Sequence, residues 1–227
     1  MSESILVVAA HPDDEVLGCG GTLAKYAARG ARVQIAFLAD GISSRDANLK
    51  TNLPELEQRR AAASAACNIL GVNTPIFADF PDNQLDSISM LKITQTVEKW
   101  IAEYHPSILL SHHVGDVNVD HQLAHKAVVT ACRPQPGHPV KTLLFFEIAS
   151  STEWQPPGSA IQFAPNWFED ITKTFDQRQR ALDCYATEMR PSPHPRSIES
   201  VAALAHWRGA TIGVAAAEAF VLGRQIV

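Results

Sequence analysis

Apolar residues in this chain gather in short unbroken runs, separated by longer stretches in which they recur every three or four positions. The runs predict strands buried on both faces, and the recurring stretches predict amphipathic helices. Ile5–Ala10 (ILVVAA) is the first run; beyond it Val16, Gly20, Leu23 and Ala27 share one helical face, and Gly30 supplies the stop. Arg32–Ala39 (RVQIAFLA) predicts a second strand closed by Asp40-Gly41. Pro54 opens a helix that continues through Ala61–Leu70 and ends at Gly71; Pro75–Phe80 predicts a third strand before the polar turn PDNQLD. Ser89–Tyr104 has helical period, His105-Pro106 breaks it, and Ser107–Ser111 (SILLS) is the next buried strand. Asp120–Cys132 predicts a helix with Asp120 as its N-cap, and Val140–Ile148 a further strand.

Strands alternating with helices of this length imply an α/β chain: a mostly parallel sheet between two helical layers. From Ala149 to Asn166 the composition shifts to Ser, Pro, Gly and Gln, which suits a long loop over one end of the sheet. A helix over Phe175–Met189, the stiff segment RPSPHPRS and an alanine-rich helix near Ser197–Trp207 follow, and the terminal AFVLGRQIV predicts an edge strand. No internal repeat is present. The expectation is one domain over residues 1–227, with the part beyond about residue 149 packed as loops and helices over the functional end of the sheet.

Composition narrows the classes. With 227 residues, 46% apolar and 19% charged, the chain can bury about three-quarters of its unfolded surface without staples. A net charge of -5 gives no basic footprint, so neither nucleic acid nor an anionic membrane is expected as a partner. Cys19, Cys67, Cys132 and Cys184 are scattered with no CxxC pair, which predicts reduced thiols. The opening MSESILVVAA is acidic and too short in its apolar run for a signal peptide, and no stretch approaches the ~18 apolar residues of a membrane span. A cytoplasmic protein is expected. A homo-oligomer is compatible with the sequence, which does not set the number of copies.

Candidate chemistry lies at the strand ends. In open α/β sheets ligands bind beyond the carboxyl ends of the strands. There the chain places His11-Pro12-Asp13-Asp14-Glu15 after its first strand and Asp116–His121 (DVNVDH) after SILLSHH. Alone, the first cluster reads as an N-cap with acids favoured by the helix dipole. A second His/Asp cluster at an equivalent strand end favours a metal site of His and carboxylate donors. His121 and His125, four apart on one helix, form an HxxxH pair, although Gln122 stands where a metalloprotease would carry glutamate.

AHPDDE (Ala10–Glu15) followed by DVNVDH resembles the PIG-L/LmbE-like family of zinc-dependent N-deacetylases. Weaker likeness continues through Arg59-Arg60, LGV (Leu70–Val72), PDNQLD, HPRS and AEAF. The resemblance implies a Rossmann-like three-layer sandwich and one Zn2+ per chain. The implied reaction removes an N-acetyl group from a small amino sugar or a conjugate containing one, releasing acetate and a free amine. Carried over by position, His11, Asp14 and His121 match the metal ligands, and Asp13 matches the carboxylate that activates water. These three ligands suffice without His125, which then reads as a half-exposed helix histidine.

One departure matters: many relatives carry histidine where this chain has Asn118. An amide can donate a hydrogen bond to an oxyanion but cannot shuttle a proton at neutral pH. The amine's proton must then come from Asp13, His113 or His194, with Asp13 first because one carboxylate can act in both steps. Arg59 and Asp82 match positions that meet sugar hydroxyls or an anionic group, Glu147 lies near a predicted strand end, and Trp154 could stack on a sugar face or anchor its loop. His112, His138 and His206 read as structural or surface residues. Two rivals are a non-catalytic sugar- or nucleotide-binding module, for which the GCGG of Gly18–Gly21 argues weakly, and a metal-dependent phosphoesterase, which would want more acidic ligands or a second metal.

Overall fold

A computed structural model describes residues 3–44 and 53–227. Among these described residues, seven strands form one sheet: β1 (Ser4–Ala9), β2 (Arg32–Ala39), β3 (Ile76–Phe80), β4 (Ile108–His112), β5 (Thr142–Phe146), β6 (Trp167–Asp170) and β7 (Ala217–Gln225). Their order is β3-β2-β1-β4-β5-β7-β6. The first five in that order pair in parallel, whereas β7 runs antiparallel to both β5 and β6. The α-helices among the described residues are α1 (Asp14–Ala28), α2 (Leu53–Leu70), α3 (Met90–Tyr104), α4 (Val119–Ala131), α5 (Phe175–Asp183) and α6 (Ile198–Ala210), and they cover the sheet. This is the three-layer α/β arrangement expected.

Alternation along β1 explains the layers. Ile5, Val7 and Ala9 face a core shared with α1, α2 and α5, while Leu6 and Val8 face a second core built with α3 and α4. Both faces being covered, the strands read as continuous apolar runs instead of alternating ones. Gly30, at φ 83, ends α1 in the left-handed conformation that glycine adopts without strain.

Three expectations shift. The terminal strand is not an edge: β7 lies between β5 and β6, and the edge falls to β6, just beyond the segment read as loop. Helix α5 ends at Asp183 instead of Met189, and the chain turns from there toward the RPSPHPRS segment. Asp120 is not the cap of α4, because Asn118 Oδ1 accepts the N–H groups of Asp120 (2.8 Å) and His121 (3.4 Å). That leaves the Asp120 carboxylate free for another partner.

The glycines of GCGG serve packing. A Cβ at Gly18 would lie 2.4 Å from Phe146 Cδ2, and one at Gly21 would lie 2.8 Å from Ile171 Cδ1. They let α1 approach the sheet closely, and they sit inside the helix instead of at its phosphate-binding entrance. The cysteines are all unpaired, and among the described residues no helix is long and apolar enough to cross a membrane. Gly18→Ala is expected to destabilise the protein by about 1–3 kcal/mol, the usual scale of overpacking. Urea unfolding of the variant should show a lower midpoint at unchanged slope.

Candidate metal centre

Strand order reverses direction at β1, whose neighbours are β2 on one side and β4 on the other. The crevice at such a switch point receives the segment leaving β1 and the segment leaving β4. The two His/Asp clusters meet there. His11 Nδ1 and His121 Nε2 each lie 3.4 Å from Asp14 Oδ2, so three donors from two distant segments face one point. Asp14 is held in place by the backbone N–H of His11, which donates to the same Oδ2 at 2.8 Å.

Each histidine is backed by a carboxylate. His11 Nε2 donates to Asp120 Oδ2 at 3.1 Å, with Asp82 Oδ1 also 3.1 Å away. His121 Nδ1 faces Asp116 Oδ2 at 3.1 Å. Carboxylates behind metal-binding imidazoles fix the tautomer, leaving the opposite nitrogen's lone pair for the ion. Asp120 Oδ1 accepts the Leu85 N–H (3.0 Å), while Asp116 accepts from Thr152 Oγ1 (2.7 Å), the Asn118 N–H (2.8 Å) and Ser151 Oγ. Burial opposes ionisation of Asp116, but His121 and these hydroxyls hold its carboxyl down at about 2.

The donor set fits a divalent cation. Asp14, Asp82, Asp116 and Asp120 are all nearly or fully buried around two imidazoles. Carboxylates so concentrated require compensating positive charge. Without a metal the imidazoles supply it: burial would lower His121, yet Asp14 and Asp116 outweigh it and push the ring up to about 9.

Asp13 and Asp14 are adjacent in sequence and separate in role. Asp13 occupies the N-cap position of α1, yet its side chain makes no capping bond. Its Oδ2 instead accepts from Arg196 Nη1 at 3.0 Å, and Arg196 Nε donates to Ser150 Oγ at 3.1 Å. Burial raises the Asp13 carboxyl to about 6 despite the opposing pull of Arg196. The N-cap reading of the DDE cluster therefore fails for Asp13.

His11, Asp13, Asp14, Arg59, Asp82, Asn118 and His121 all line one polar cleft, as do Arg196 and Ser151. Arg59 is ion-paired to Glu188 and donates to the Pro12 carbonyl at 3.3 Å. The amide of Asn118 donates from Nδ2 to Asn83 Oδ1 at 3.1 Å, and its oxygen is used as the α4 cap. Three candidates lie outside the lining. His113 is buried beside Phe163, its Nδ1 accepts the Gly115 N–H (3.1 Å), and burial together with His125 lowers its pKa. His194 accepts the Arg196 N–H (3.0 Å) and packs edge-on against the half-exposed Trp154. Glu147 forms a two-pronged ion pair with Arg208 at 2.7 Å per bond.

His125 also turns away: its Nδ1 bonds the His112 carbonyl (3.0 Å) and its ring packs on Phe145. His112, read as structural, is fully buried, accepts the Ala10 N–H at 2.8 Å and stacks on His121 with ring centroids 4.0 Å apart. The sequence reading gives no place in the site to Asp116, to Asp120, which it reads only as a helix cap, or to Arg196 on Asp13. The DH pair of Asp120-His121 and the arginine of HPRS were the available signals.

An α/β sheet carries a His/Asp/His cluster at its switch point that could hold a metal ion, with a further buried carboxylate beside it. The match to the family model described as PIG-L, GlcNAc-PI de-N-acetylase, spans residues 6–132, more than half of the chain, and the chain belongs to that family. A 1D-myo-inositol 2-acetamido-2-deoxy-alpha-D-glucopyranoside deacetylase of Rhodococcus erythropolis is 27% identical over 244 aligned positions, covering 85% of this chain and 83% of the relative. A 4-oxalmesaconate hydratase of Pseudomonas putida is 29% identical over 198 residues, covering 81% and 73%. Among solved structures, the conserved protein TT1542 of Thermus thermophilus superposes with a TM-score of 0.78 at 27% identity, covering 98% of this chain and 96% of that one.

Metal loading is expected to depend on pH. Below about 9 the metal-free His121 carries a proton that a cation must displace, so apparent affinity should rise with pH until that point. Calorimetric titration of metal-free protein in buffers of different ionisation enthalpy should detect proton release at pH 7; an uptake of protons would contradict it.

Proposed function

We propose that the protein is a zinc-dependent N-deacetylase acting on a small amino sugar or amino-sugar conjugate. The observation that carries this reading is the division of labour in one cleft: Asp14 joins His11 and His121, while Asp13, next in sequence, stays out of the cluster and faces the same space. His11, Asp14 and His121 would hold the ion. Zinc bound there supplies a Lewis acid for the acetamide carbonyl and makes water easier to deprotonate.

The remaining steps belong to the chain. Asp13 accepts a proton from the attacking water, and Arg196 orients its carboxylate. A carboxyl raised to about 6 is ionised at neutral pH and still basic enough for this task. The Nδ2 of Asn118 is a neutral donor on the cleft wall for the carbonyl oxygen as charge develops. As the C–N bond breaks, the protonated Asp13 returns its proton to the amine, and acetate departs. Support for Asp13 in both steps comes from the positions of His113 and His194, neither of which lines the cleft. Arg59 and Asp82 are assigned to the sugar, a reading supported by their place in the lining of the same cleft. Arg59 and Arg196 are both paired with acids, which argues against a phosphoesterase, whose substrate would need cations to spare.

The hydratase relative also gives reason to measure acetate itself. Zinc-reconstituted protein should release acetate from at least one member of a panel of N-acetylated amino sugars. Hydration of an unsaturated carboxylate with no acetate from any member would replace this reading. His11→Ala or His121→Ala should lose most of one bound zinc per chain, because two remaining ligands hold an ion poorly. Asp13→Asn should keep the zinc and lose turnover by on the order of a hundredfold or more, mainly in kcat. His125→Ala should stay within roughly tenfold of the parent.

A further inference from the structure

We infer that Glu15 and Tyr185 act as positioning residues that hold the Asp13 backbone in the conformation its chemistry requires. This rests on the reading of Asp13 as the water-activating carboxylate. Asp13 has φ 128 and ψ -28, a region that side-chain-bearing residues rarely enter and that costs of order 1–3 kcal/mol. Such a conformation persists only where its surroundings enforce it.

The enforcement is visible at the peptide joining Pro12 to Asp13, whose plane sets that φ. Its N–H, on Asp13, donates to Glu15 Oε2 at 3.0 Å. Its C=O, on Pro12, accepts from Arg59 Nη1 at 3.3 Å. The plane is thus held at both ends by side chains. On the far side, the Asp13 carbonyl accepts the N–H groups of Val16 (3.1 Å) and Leu17 (3.0 Å) in the first turn of α1. Glu15 is itself fixed, since its Oε1 accepts from Tyr185 Oη at 2.6 Å.

Glu15 has no exposed surface, Tyr185 is 1% exposed, and no ion pair to Glu15 exists among the described residues. A carboxyl group buried without a cation is costly, and an apolar residue would pack there at lower cost. What Glu15 adds over such a residue is an acceptor aimed at the Asp13 N–H. Tyr185, from the segment after α5, adds the donor that keeps that acceptor from rotating. Neither side chain lines the cleft beside the metal cluster, so both act through Asp13.

Three variants test this. Glu15→Leu removes the acceptor, Glu15→Gln keeps an oxygen that can accept the same N–H, and Tyr185→Phe deletes one hydroxyl. With zinc content at the parent level, Glu15→Leu should lose about a hundredfold in kcat with little change in KM, as expected for a misdirected catalytic group. Glu15→Gln should recover to within about tenfold of the parent, and Tyr185→Phe should lose about tenfold. Crystal structures of the metal-free proteins give a readout independent of activity: Asp13 should relax to negative φ and leave Arg196 in Glu15→Leu, and stay at positive φ in Glu15→Gln. Retention of positive φ in Glu15→Leu, or a loss of the same size in Glu15→Gln, overturns the inference. Should Glu15→Leu fail to fold, unchanged kcat in Tyr185→Phe overturns it instead. If the parent releases no acetate, the deacetylase reading fails while the two crystal structures still judge the brace.

Discussion

Four buried aspartates around two imidazoles create the constraint that organises this molecule. Carboxylates packed at that density repel one another, and removing them from water strengthens the repulsion. The surrounding structure answers with donors: backbone N–H groups of His11, Leu85 and Asn118, hydroxyls of Ser151 and Thr152, and ring nitrogens between. The neutral donors soften the repulsion without cancelling charge, so the point where His11, Asp14 and His121 face one another favours a cation, either the protons on the imidazoles or a divalent ion. The loop after β3, the turn before α4 and the segment after β5 are all tied to this set of carboxylates.

The same pattern explains how two adjacent aspartates acquire different work. Asp14 begins α1 and turns toward the histidines, whereas Asp13 departs from ordinary backbone geometry and meets an arginine from the far end of the sequence. Arg196 comes from a segment outside the region matched by the family model, as do Ser151 and Thr152. The region matched by the family model supplies the cluster, and the part after it supplies Arg196, Ser151 and Thr152, which border it.

Much of the architecture was legible in the sequence because both-face burial gives unmistakable apolar runs, as in Ile5–Ala10 and Arg32–Ala39. Where that signal weakens, reading failed for physical reasons. Strand β7 carries half-exposed positions toward its end, which resembles an edge strand, although short β6 covers its outer side. Asp120 and Asn118 are both good helix caps by residue type, and only the tertiary partner His11 explains why Asn118 caps while Asp120 does not. Glu147 stands at a strand end as the sequence suggested, but Arg208, sixty-odd residues later, claims it. Long-range ion pairs of this kind leave no periodic trace in a single sequence.

The strand order carries a kinetic consequence. β1 pairs Ser4 with Arg32 on one side and Ile5 with Ile108 on the other, so its second neighbour is separated from it by most of the first half of the chain. Contacts that close such long loops form slowly, because chain entropy is lost before the pairing repays it. The crevice that brings His11 to His121 exists only once β4 has docked on β1. A partly folded chain can therefore hold the β1–β2 pair and its helix with Asp14 in place, yet have no assembled centre. Competence arrives with the β1–β4 pairing, which makes the centre a report on the assembly of the central strands.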